Sequence, residues 1–291
     1  MKARGRGYVR AGMECKARSW PAGERRHSRE TWSRRSFLER GTKIGLGALI
    51  APAFGACQSD PVRVGGTGDP RLTVQPFAPT MSAAAGATPL GLGGSRDGVL
   101  YVPSTYDPAT PGPLVVAMHG TPGSSSLWVP FYQACEAQGM VMLAVDSRGL
   151  GWDLIDIGEF GPDPDFIDQA LTFTFERCLI DTTRIVLLGF SDGASYTLSL
   201  GTSNGDLFTH LVSFSPGFWT SADPLIGRPE IFVSHGTEDQ ILPITASRVE
   251  IVPVLRAFGY DVTYEEFVGP HTVPADIARM AFDWFGAPEL P

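Results

Sequence analysis

The sequence predicts an α/β fold with one open, mostly parallel sheet that carries helices on both faces. The first observation is a series of short apolar runs with β-branched residues, typical of parallel strands that are buried on both faces. The second is that helix-length segments alternate with these runs, which indicates βαβ units. The third is size, because 291 residues with 43% apolar residues can bury the core of one large domain.

Each element follows from its own segment. Six apolar runs are predicted to be strands: Val99–Val102, Leu114–Met118, Val141–Val145, Ile185–Leu188, Leu211–Phe214 and Ile231–Ser234. Five segments are predicted to be helices: Leu127–Gln138, Phe166–Cys178, Ala194–Leu200, Ala246–Phe258 and Pro274–Phe285. The sequence shows neither an internal repeat nor a second hydrophobic core, so we predict a single domain over residues 71–291.

Residues 1–57 are predicted to be a targeting segment rather than part of the domain. The sequence Ser33–Leu38, with two arginines before Phe-Leu, resembles a twin-arginine export signal. The apolar run Ile44–Ala56 that follows is too short to span a bilayer, which needs about 20 residues. We therefore expect an exported protein of the periplasm or cell envelope; the alternative for the two arginines is a solvated basic tail.

The end of this segment resembles a lipobox, the site at which a cysteine receives lipid. The sequence Phe54–Cys57 carries the small residues before Cys57, but Phe54 stands where an aliphatic residue is usual. A lipid on Cys57 is the only membrane contact that the sequence predicts. Residues 58–70 would then be a flexible linker, because Gly and Pro disfavour regular structure there.

The charges divide the chain into a basic head and an acidic body. Residues 1–57 contain 13 Lys and Arg and 4 Asp and Glu, whereas the whole chain contains 23 and 31. The other 234 residues therefore hold 10 basic and 27 acidic residues, a net charge of −17. A body this acidic would be repelled by phosphate backbones, so we expect no nucleic-acid partner.

The sequence predicts neither a metal nor a cofactor. It has no His/Cys cluster with zinc-ligand spacing and no Gly-rich phosphate loop. Asp163, Asp165 and Asp168 lie close together, but their spacing lacks the glycine and the terminal Glu of a calcium loop. We expect these carboxylates to cap a helix and to form a solvated acidic face.

Cys135 and Cys178 are predicted to be buried free thiols. They are the only cysteines after Cys57, and export would allow them to pair. They lie on successive crossover helices, however, which this topology places on opposite faces of the sheet. A disulfide, which needs Cα atoms within about 7 Å, is therefore not expected.

The clearest motif is the G-x-S-x-G sequence Gly189–Gly193. It follows a predicted strand and precedes a helical segment, which is the context that the motif requires. A tight strand-to-helix turn leaves no room for side chains at its flanking positions, hence the glycines. The turn exposes the Ser191 hydroxyl at a helix N-terminus, where the dipole favours negative charge. Ser191 is therefore the predicted nucleophile.

A serine nucleophile needs a base, and His271 is the predicted base among five histidines. His27 lies in the targeting segment, His119 follows an early strand, and His210 precedes a strand. His235 ends a strand in a His-Gly pair, where a buried, turn-capping role is expected. His271 follows the last apolar run, which is where the sheet order places the base.

The sequence limits the candidates for the acid to one short segment and the candidates for the oxyanion hole to two. Glu238 and Asp239 both follow the last of the six predicted strands, so both qualify as the acid by position. An oxyanion hole needs two backbone N–H donors, and Asp192, directly after the nucleophile, is expected to supply one. The other is expected from the loop His119–Gly123, in which Pro122 has no N–H. A plain Pro-Gly turn fits that loop equally well.

From about residue 98 to residue 285 the chain resembles α/β-hydrolase esterases of the polyhydroxybutyrate-depolymerase, feruloyl-esterase and phospholipase/carboxylesterase group. The resemblance is carried by Tyr101–Pro103, Pro113–Val116, His119-Gly120, the Ser191 motif, the segment His235–Pro243 and the His271 loop. It implies an α/β-hydrolase fold without a large lid domain and without a cofactor. It also implies that Asp239 is the acid, with Glu238 a surface charge, and that Thr121 supplies the second oxyanion donor.

The substrate site is predicted to be an open cleft with aromatic walls. Only about sixteen residues separate the strands that end at Phe214 and begin at Ile231, too few for a helical lid. The candidate wall residues are Trp128, Trp152, Phe218 and Trp219, and core packing is the alternative for each. An apolar cleft in an acidic body favours neutral short-to-medium acyl or polyester-type esters.

These observations predict a monomeric serine carboxylic ester hydrolase that forms an acyl-Ser191 intermediate. Its partner would be a small-molecule or polymeric ester. The alternatives are a peptidase of the prolyl-oligopeptidase type, which usually carries a large extra domain, and a catalytically silent exported binding lipoprotein. Labelling by a fluorophosphonate distinguishes either enzyme from the binding protein.

Overall fold

The computed structural model of the chain describes residues 62–64, 68–221 and 225–286. The predicted targeting segment, with the arginines at 34 and 35 and Cys57, lies outside the described residues.

The strands confirm the predicted sheet. They are β1 (Val62–Val64), β2 (Gly86–Pro89), β3 (Gly98–Val102), β4 (Gly112–Met118), β5 (Val141–Val145), β6 (Ile180–Phe190), β7 (His210–Phe214), β8 (Trp219–Ser221), β9 (Glu230–Gly236) and β10 (Val262–Phe267). Eight of them form one open sheet in the order β10-β9-β7-β6-β4-β5-β3-β2. Pairing is parallel from β10 to β5, and β3 and β2 add antiparallel strands at one edge.

Five of the helices lie in the segments that the sequence predicts, and the short helix Asp153–Asp156 lies in a segment that was not predicted to be helical. They are α1 (Tyr132–Gln138), α2 (Asp153–Asp156), α3 (Pro162–Phe175), α4 (Asp192–Ser203), α5 (Val252–Ala257) and α6 (Ala275–Gly286). A 3₁₀ helix at Ser125–Phe131 leads into α1 and contains Pro130, and a π helix at Ala246–Ile251 leads into α5. Two of the predicted helices thus begin with a turn of different pitch.

Both faces of the sheet are buried, as the continuous apolar strands predict. On β4, Leu114 and Val116 belong to one core, whereas Val115 and Ala117 belong to another. Residues of α3, α4 and α5 contribute to the first core, and residues of α1 and α6 contribute to the second. The helices therefore cover both faces, and the carboxyl ends of the parallel strands meet along one edge.

The two thiols confirm the prediction made for them. Cys135 and Cys178 are free and buried, and they belong to different cores. Burial raises the pKa of each thiol to about 12, so both stay protonated at neutral pH.

Part of the predicted flexible linker has defined partners instead. Strand β1 pairs in parallel with β8. The side-chain amide of Asn204 donates to the carbonyl of Pro70 (2.8 Å), and its oxygen accepts from the amide of Leu72 (2.9 Å). The side chain of Asn204, at the end of α4, thus satisfies a backbone carbonyl and a backbone amide of the segment at 70–72.

Helix α4 presents a row of hydroxyl groups to the segment at 217–220. The Ser195 hydroxyl accepts from the amide of Gly217 (3.0 Å), and the Ser199 hydroxyl accepts from the amide of Thr220 (3.0 Å). The indole N–H of Trp219 donates to the Thr202 hydroxyl (3.1 Å). These contacts hold β8 against the helix that follows the G-x-S-x-G motif.

No helix in the described part of the chain is long and apolar enough to cross a membrane.

Candidate active site

Ser191 lies on a strained turn between β6 and α4. Its φ is 59° and its ψ is −122°, a conformation that residues other than glycine rarely adopt. The Ser191 amide donates to the carbonyl of Phe214 (2.9 Å), which ties the turn to β7. Strain of this kind persists where the surrounding structure enforces it, and it is concentrated at functional sites.

The two motif glycines are required by close approach. A Cβ atom on Gly189 would lie 2.2 Å from the carbonyl oxygen of Gly193. A Cβ atom on Gly193 would lie 2.4 Å from the carbonyl oxygens of both Met118 and His119. Helix α4 therefore begins directly against the end of β4, and this contact sets the position of Ser191.

The structure brings Ser191, His271 and Asp239 together. His271, on the loop after β10, has its Nε2 2.8 Å from the Ser191 Oγ. Its Nδ1 lies 2.5 Å from Oδ2 of Asp239, on the loop after β9. A carboxylate only accepts, so Nδ1 carries the proton and Nε2 is free to accept the serine proton.

The geometry distinguishes the two candidate acids. The Asp239 side chain is fully buried, and its Oδ1 accepts from the amides of Ile241 and Leu242, each at 2.9 Å. Burial favours the protonated acid, but the hydrogen bonds from His271 and these two amides outweigh burial, so the pKa of Asp239 is lowered. Glu238 is exposed, and Asp239 rather than Glu238 contacts His271.

His235 holds the loop that carries this acid. It is fully buried, its Nε2 donates to the carbonyl of Leu242 (2.8 Å), and its Nδ1 accepts from the Ser247 hydroxyl (2.7 Å). Its Nε2 also lies 3.3 Å from Oδ2 of Asp239. Burial lowers the pKa of His235, which keeps the ring neutral. The buried role expected for a His-Gly pair at a strand end matches these contacts.

The loop after β4 lies against the nucleophile. A Cβ atom on Gly120 would stand 3.0 Å from the Cβ of Ser191. In the described part of the chain, neither the backbone amide of Thr121 nor that of Asp192 has a hydrogen-bond acceptor. Asp192 is the first residue of α4, where an amide lacks an intrahelical acceptor. Two unpaired donors thus flank Ser191, as an oxyanion hole requires.

The predicted aromatic walls are wrong for the three tryptophans. Trp128, Trp152 and Trp219 are fully buried, and each belongs to one of the two cores. A tryptophan removes 150–250 Å² from water when it is buried, which favours core packing where the fold offers room. Phe218 is partly buried against the first core, so its predicted contact with substrate stays a prediction.

Three exposed aliphatic residues lie close in sequence to segments of the site. Leu150, Ile241 and Val268 are 74%, 70% and 84% exposed. Ile241 follows Asp239 by two residues, and Val268 precedes His271 by three. Leu150 adjoins Gly151, whose Cβ position lies 2.8 Å from the Thr121 hydroxyl.

Two of the three carboxylates predicted to form a solvated face, Asp163 and Asp168, accept hydrogen bonds from backbone amides instead, and Asp163 is buried. Asp163 accepts from the amides of Arg148 (2.6 Å) and Asp153 (2.7 Å), and Asp168 accepts from the amide of Thr73 (2.9 Å). Burial and the neighbouring Asp153 raise the pKa of Asp163 to about 6. Among the described residues there is no group of three metal-ligating side chains that would hold an ion.

Sequence reasoning missed the residues that support the loop after β4. The His119 ring donates from Nδ1 to the carbonyl of Gly120 (2.8 Å), and the indole of Trp152 donates to the carbonyl of His119 (2.8 Å). Arg96 reaches the same loop from the β2–β3 connection. The sequence offered one sign of the role of His119, since a His-Gly pair follows a strand both at 119 and at 235. It offered no sign of the role of Arg96, because the partners of Arg96 lie far from it in sequence.

Comparisons with known proteins agree with this fold. No protein-family model and no curated protein sequence matches the chain. Among solved structures, it is similar to the S-formylglutathione hydrolase from Staphylococcus aureus, with a TM-score of 0.56, 12% identity, and coverage of 70% of this chain and 100% of that one. The acetyl xylan esterase from Aspergillus awamori gives a TM-score of 0.54, 18% identity, and coverage of 66% and 94%. The carboxylesterase from Bacillus cereus gives a TM-score of 0.50 and 19% identity, with coverage of 66% of this chain and 94% of that one. These similarities confirm the α/β-hydrolase fold.

Proposed function

We propose that this protein is a serine carboxylic ester hydrolase that acts through an acyl-Ser191 intermediate. The observation that carries the proposal is the unbroken hydrogen-bond chain from Ser191 through His271 to the buried carboxylate of Asp239. A serine hydroxyl is a weak nucleophile without such a base, and the base needs such an acid to hold its tautomer. The esterases among the structural neighbours agree with this assignment.

Acylation follows from the positions of these groups. The Ser191 Oγ attacks the ester carbonyl while His271 Nε2 takes its proton, and Asp239 stabilises the resulting imidazolium. The amides of Thr121 and Asp192 donate to the oxyanion that develops on the carbonyl oxygen. The bond to the alcohol then breaks, and His271 returns its proton to the leaving alkoxide.

Deacylation repeats the sequence with water. His271 takes a proton from a water molecule, the hydroxide attacks the acyl-Ser191 carbonyl, and the same two amides stabilise the second oxyanion. The bond to Ser191 Oγ breaks, the serine recovers its proton from His271, and the carboxylic acid leaves. This sequence consumes one ester and one water and uses no external cofactor.

We propose neutral esters with short-to-medium acyl chains, or polyesters, as the substrate class. Leu150, Ile241 and Val268 give the surroundings of the site an apolar character. The net charge of −17 over the chain after residue 57 would repel anionic esters. The described part of the 215–229 connection contains no helical lid, so no rate increase at a lipid–water interface is expected.

A fluorophosphonate probe tests the proposal, because it reacts only with an activated serine. We expect the wild-type protein and the Ser215→Ala variant to be labelled and Ser191→Ala to be unlabelled. Ser215 is the matched control, since it is a buried serine with positive φ at the end of the neighbouring strand β7. Hydrolysis of p-nitrophenyl butyrate, with little cleavage of the palmitate ester, is the expected activity.

Two outcomes would contradict the proposal. A wild-type protein that neither reacts with the probe nor hydrolyses esters would be a binding protein. Labelling at Ser191 together with faster cleavage of peptide anilides than of esters would indicate a peptidase.

We also propose that the protein is exported as a monomer and carries lipid on Cys57. The twin-arginine-like sequence Ser33–Leu38 and the lipobox-like sequence Phe54–Cys57 support this proposal. Cell fractionation of wild type and Cys57→Ser tests it: the variant is expected to leave the membrane fraction. Equal partitioning of the two would contradict lipidation.

A further inference from the structure

Arg96 joins two loops that flank the proposed oxyanion hole. It lies in the connection between β2 and β3, outside every motif of the site. Its Nη2 lies 3.0 Å from His119 Nε2 and 3.0 Å from the carbonyl oxygen of Gly123, both on the loop after β4. Its Nε donates to the carbonyl of Ser147 (2.5 Å), on the loop after β5. One guanidinium thus holds the two loops together.

These contacts determine which nitrogen of His119 carries the proton. The backbone amide of Ser147 and the guanidinium of Arg96 both direct N–H groups at Nε2, at 3.1 and 3.0 Å. Neither group can accept a hydrogen bond, so Nε2 must carry the lone pair and Nδ1 the proton. Burial, and secondarily the nearby charge of Arg96, lower the pKa of His119 and keep the ring neutral.

The protonated nitrogen in turn orients the oxyanion donor. His119 Nδ1 donates to the carbonyl oxygen of Gly120 at 2.8 Å. That carbonyl and the N–H of Thr121 belong to one planar trans peptide unit, so they point in opposite directions. A hydrogen bond that fixes the Gly120 carbonyl therefore fixes the direction of the Thr121 N–H.

The preceding peptide is held as well. The indole N–H of Trp152 donates to the carbonyl of His119 at 2.8 Å. Because both carbonyls are hydrogen-bonded, the loop has little freedom to rotate a peptide. Gly120 meanwhile stays so close to Ser191 that a Cβ atom would stand 3.0 Å from the serine Cβ.

We propose that Arg96 is a positioning residue for the oxyanion hole: together with the Ser147 amide it holds the ring of His119, which in turn fixes the Thr121 N–H through the Gly120 carbonyl. The inference rests on the proposed ester hydrolysis, since an oxyanion donor matters only where a tetrahedral intermediate forms. Arg96 does not contact the reacting atoms. Its removal should therefore weaken transition-state binding and leave ground-state binding of the ester nearly unchanged.

The test is a kinetic comparison of Arg96→Ala and Arg96→Lys with wild type on p-nitrophenyl butyrate. Misplacement of a donor by about 1 Å costs on the order of 10²-fold, so we expect kcat to fall by roughly 10- to 100-fold with KM within about threefold. The affinity for a trifluoromethyl ketone, which forms a tetrahedral adduct with the serine, is expected to fall by the same factor as kcat. Millimolar guanidinium is expected to restore part of the kcat of Arg96→Ala.

Arg71→Ala is the matched control. Arg71 is also a partly buried arginine that bonds to a carbonyl, that of Ser203, and it pairs with Asp206. Its partners lie at the far end of α4 from Ser191, so kcat is expected to stay within about twofold of wild type even if the free energy of unfolding falls.

Each remaining outcome decides between the inference and the proposed function. Wild-type kcat in both Arg96 variants would overturn the inference, and so would a loss confined to KM or a loss of kcat without loss of ketone affinity. If Arg96→Ala fails to fold, Arg96→Lys keeps the charge without the planar fork and is judged by the same criteria. A wild-type protein that is inactive and unlabelled would instead overturn the proposed function itself.

Discussion

Replacing Gly193 by alanine tests how closely the nucleophile helix must approach the end of β4. The new Cβ atom would stand 2.4 Å from the carbonyl oxygens of Met118 and His119. Ordinary van der Waals contact begins at 3.4 Å, so relief requires the helix and the strand to separate by the difference, about 1 Å. Both obstacles are backbone atoms, so no side-chain rotation can make the room.

The expected magnitude follows from which partner moves. Met118 is paired with both neighbouring strands, so the displacement falls on α4 and on Ser191 at its start. Overpacking of this kind costs about 1–3 kcal/mol of unfolding free energy. A displacement near 1 Å at the reacting group costs about 10²-fold in rate. Gly193→Ala is therefore expected to lose both stability and about two orders of magnitude in kcat.

Urea denaturation and p-nitrophenyl butyrate hydrolysis measure the two effects. Gly112→Ala is the matched control, because a Cβ at the start of the same strand meets its nearest atom, the carbonyl oxygen of Gly139, at an ordinary 3.6 Å. Its unfolding free energy should stay within about 0.5 kcal/mol of wild type, with unchanged kcat. Wild-type behaviour of Gly193→Ala, or equal losses in the two variants, would refute the reasoning.

Three further predictions concern the site and its surroundings. Ser191→Ala and His271→Ala should each lower the kcat for ester hydrolysis by on the order of 10⁴–10⁶, because the nucleophile and the base act as one unit. Asp239→Asn should cost somewhat less, since the base stays but loses its orientation, whereas Glu238→Gln should leave kcat near wild type; a larger loss in the glutamate variant would contradict the geometry. Because burial and a neighbouring carboxylate raise the pKa of Asp163 to about 6, this group binds its proton more tightly in the folded state, and its contribution to stability falls as the pH rises from about 4 to above 6. The test is urea denaturation of wild type and Asp163→Asn at about pH 4 and at about pH 7.5. The difference in unfolding free energy between wild type and variant should be smaller at about pH 7.5, and an equal difference at the two pH values would count against this pKa.

The central strands were predictable and the edge strands were not, for a physical reason. Strand β5 is buried at all five positions, so its sequence is a continuous apolar run. Strand β10 pairs on one side only and carries glutamates at 265 and 266, and β2 is mostly exposed along its length. An edge strand buries less surface, so its sequence shows a weaker hydrophobic pattern.

The candidate site also has residues that the sequence predicts and residues that it does not. Ser191 and His271 follow from the motif and from chain order, because the carboxyl ends of parallel strands meet at one edge whatever the side chains do. Chain order left Glu238 and Asp239 open as the acid, and the resemblance to the esterase group selected Asp239. The position of Trp152 in a loop at that edge was also clear from the sequence. The direction of its side chain was not, because it depends on packing against His119 and Tyr196, which are far from Trp152 in sequence.

The hydroxyl groups of α4 have a consequence for motion. Amide exchange with deuterium requires release of the acceptor, and the amides of Gly217 and Thr220 donate to hydroxyls of this helix. They should therefore exchange more slowly than the amides of a surface connection that lack an acceptor. Ser195, which holds Gly217, lies one helical turn from Ser191. The segment at 217–220 is thus held to the helix that begins at Ser191, so under the proposed ester hydrolysis an acyl chain that reaches this segment meets a backbone that does not move aside.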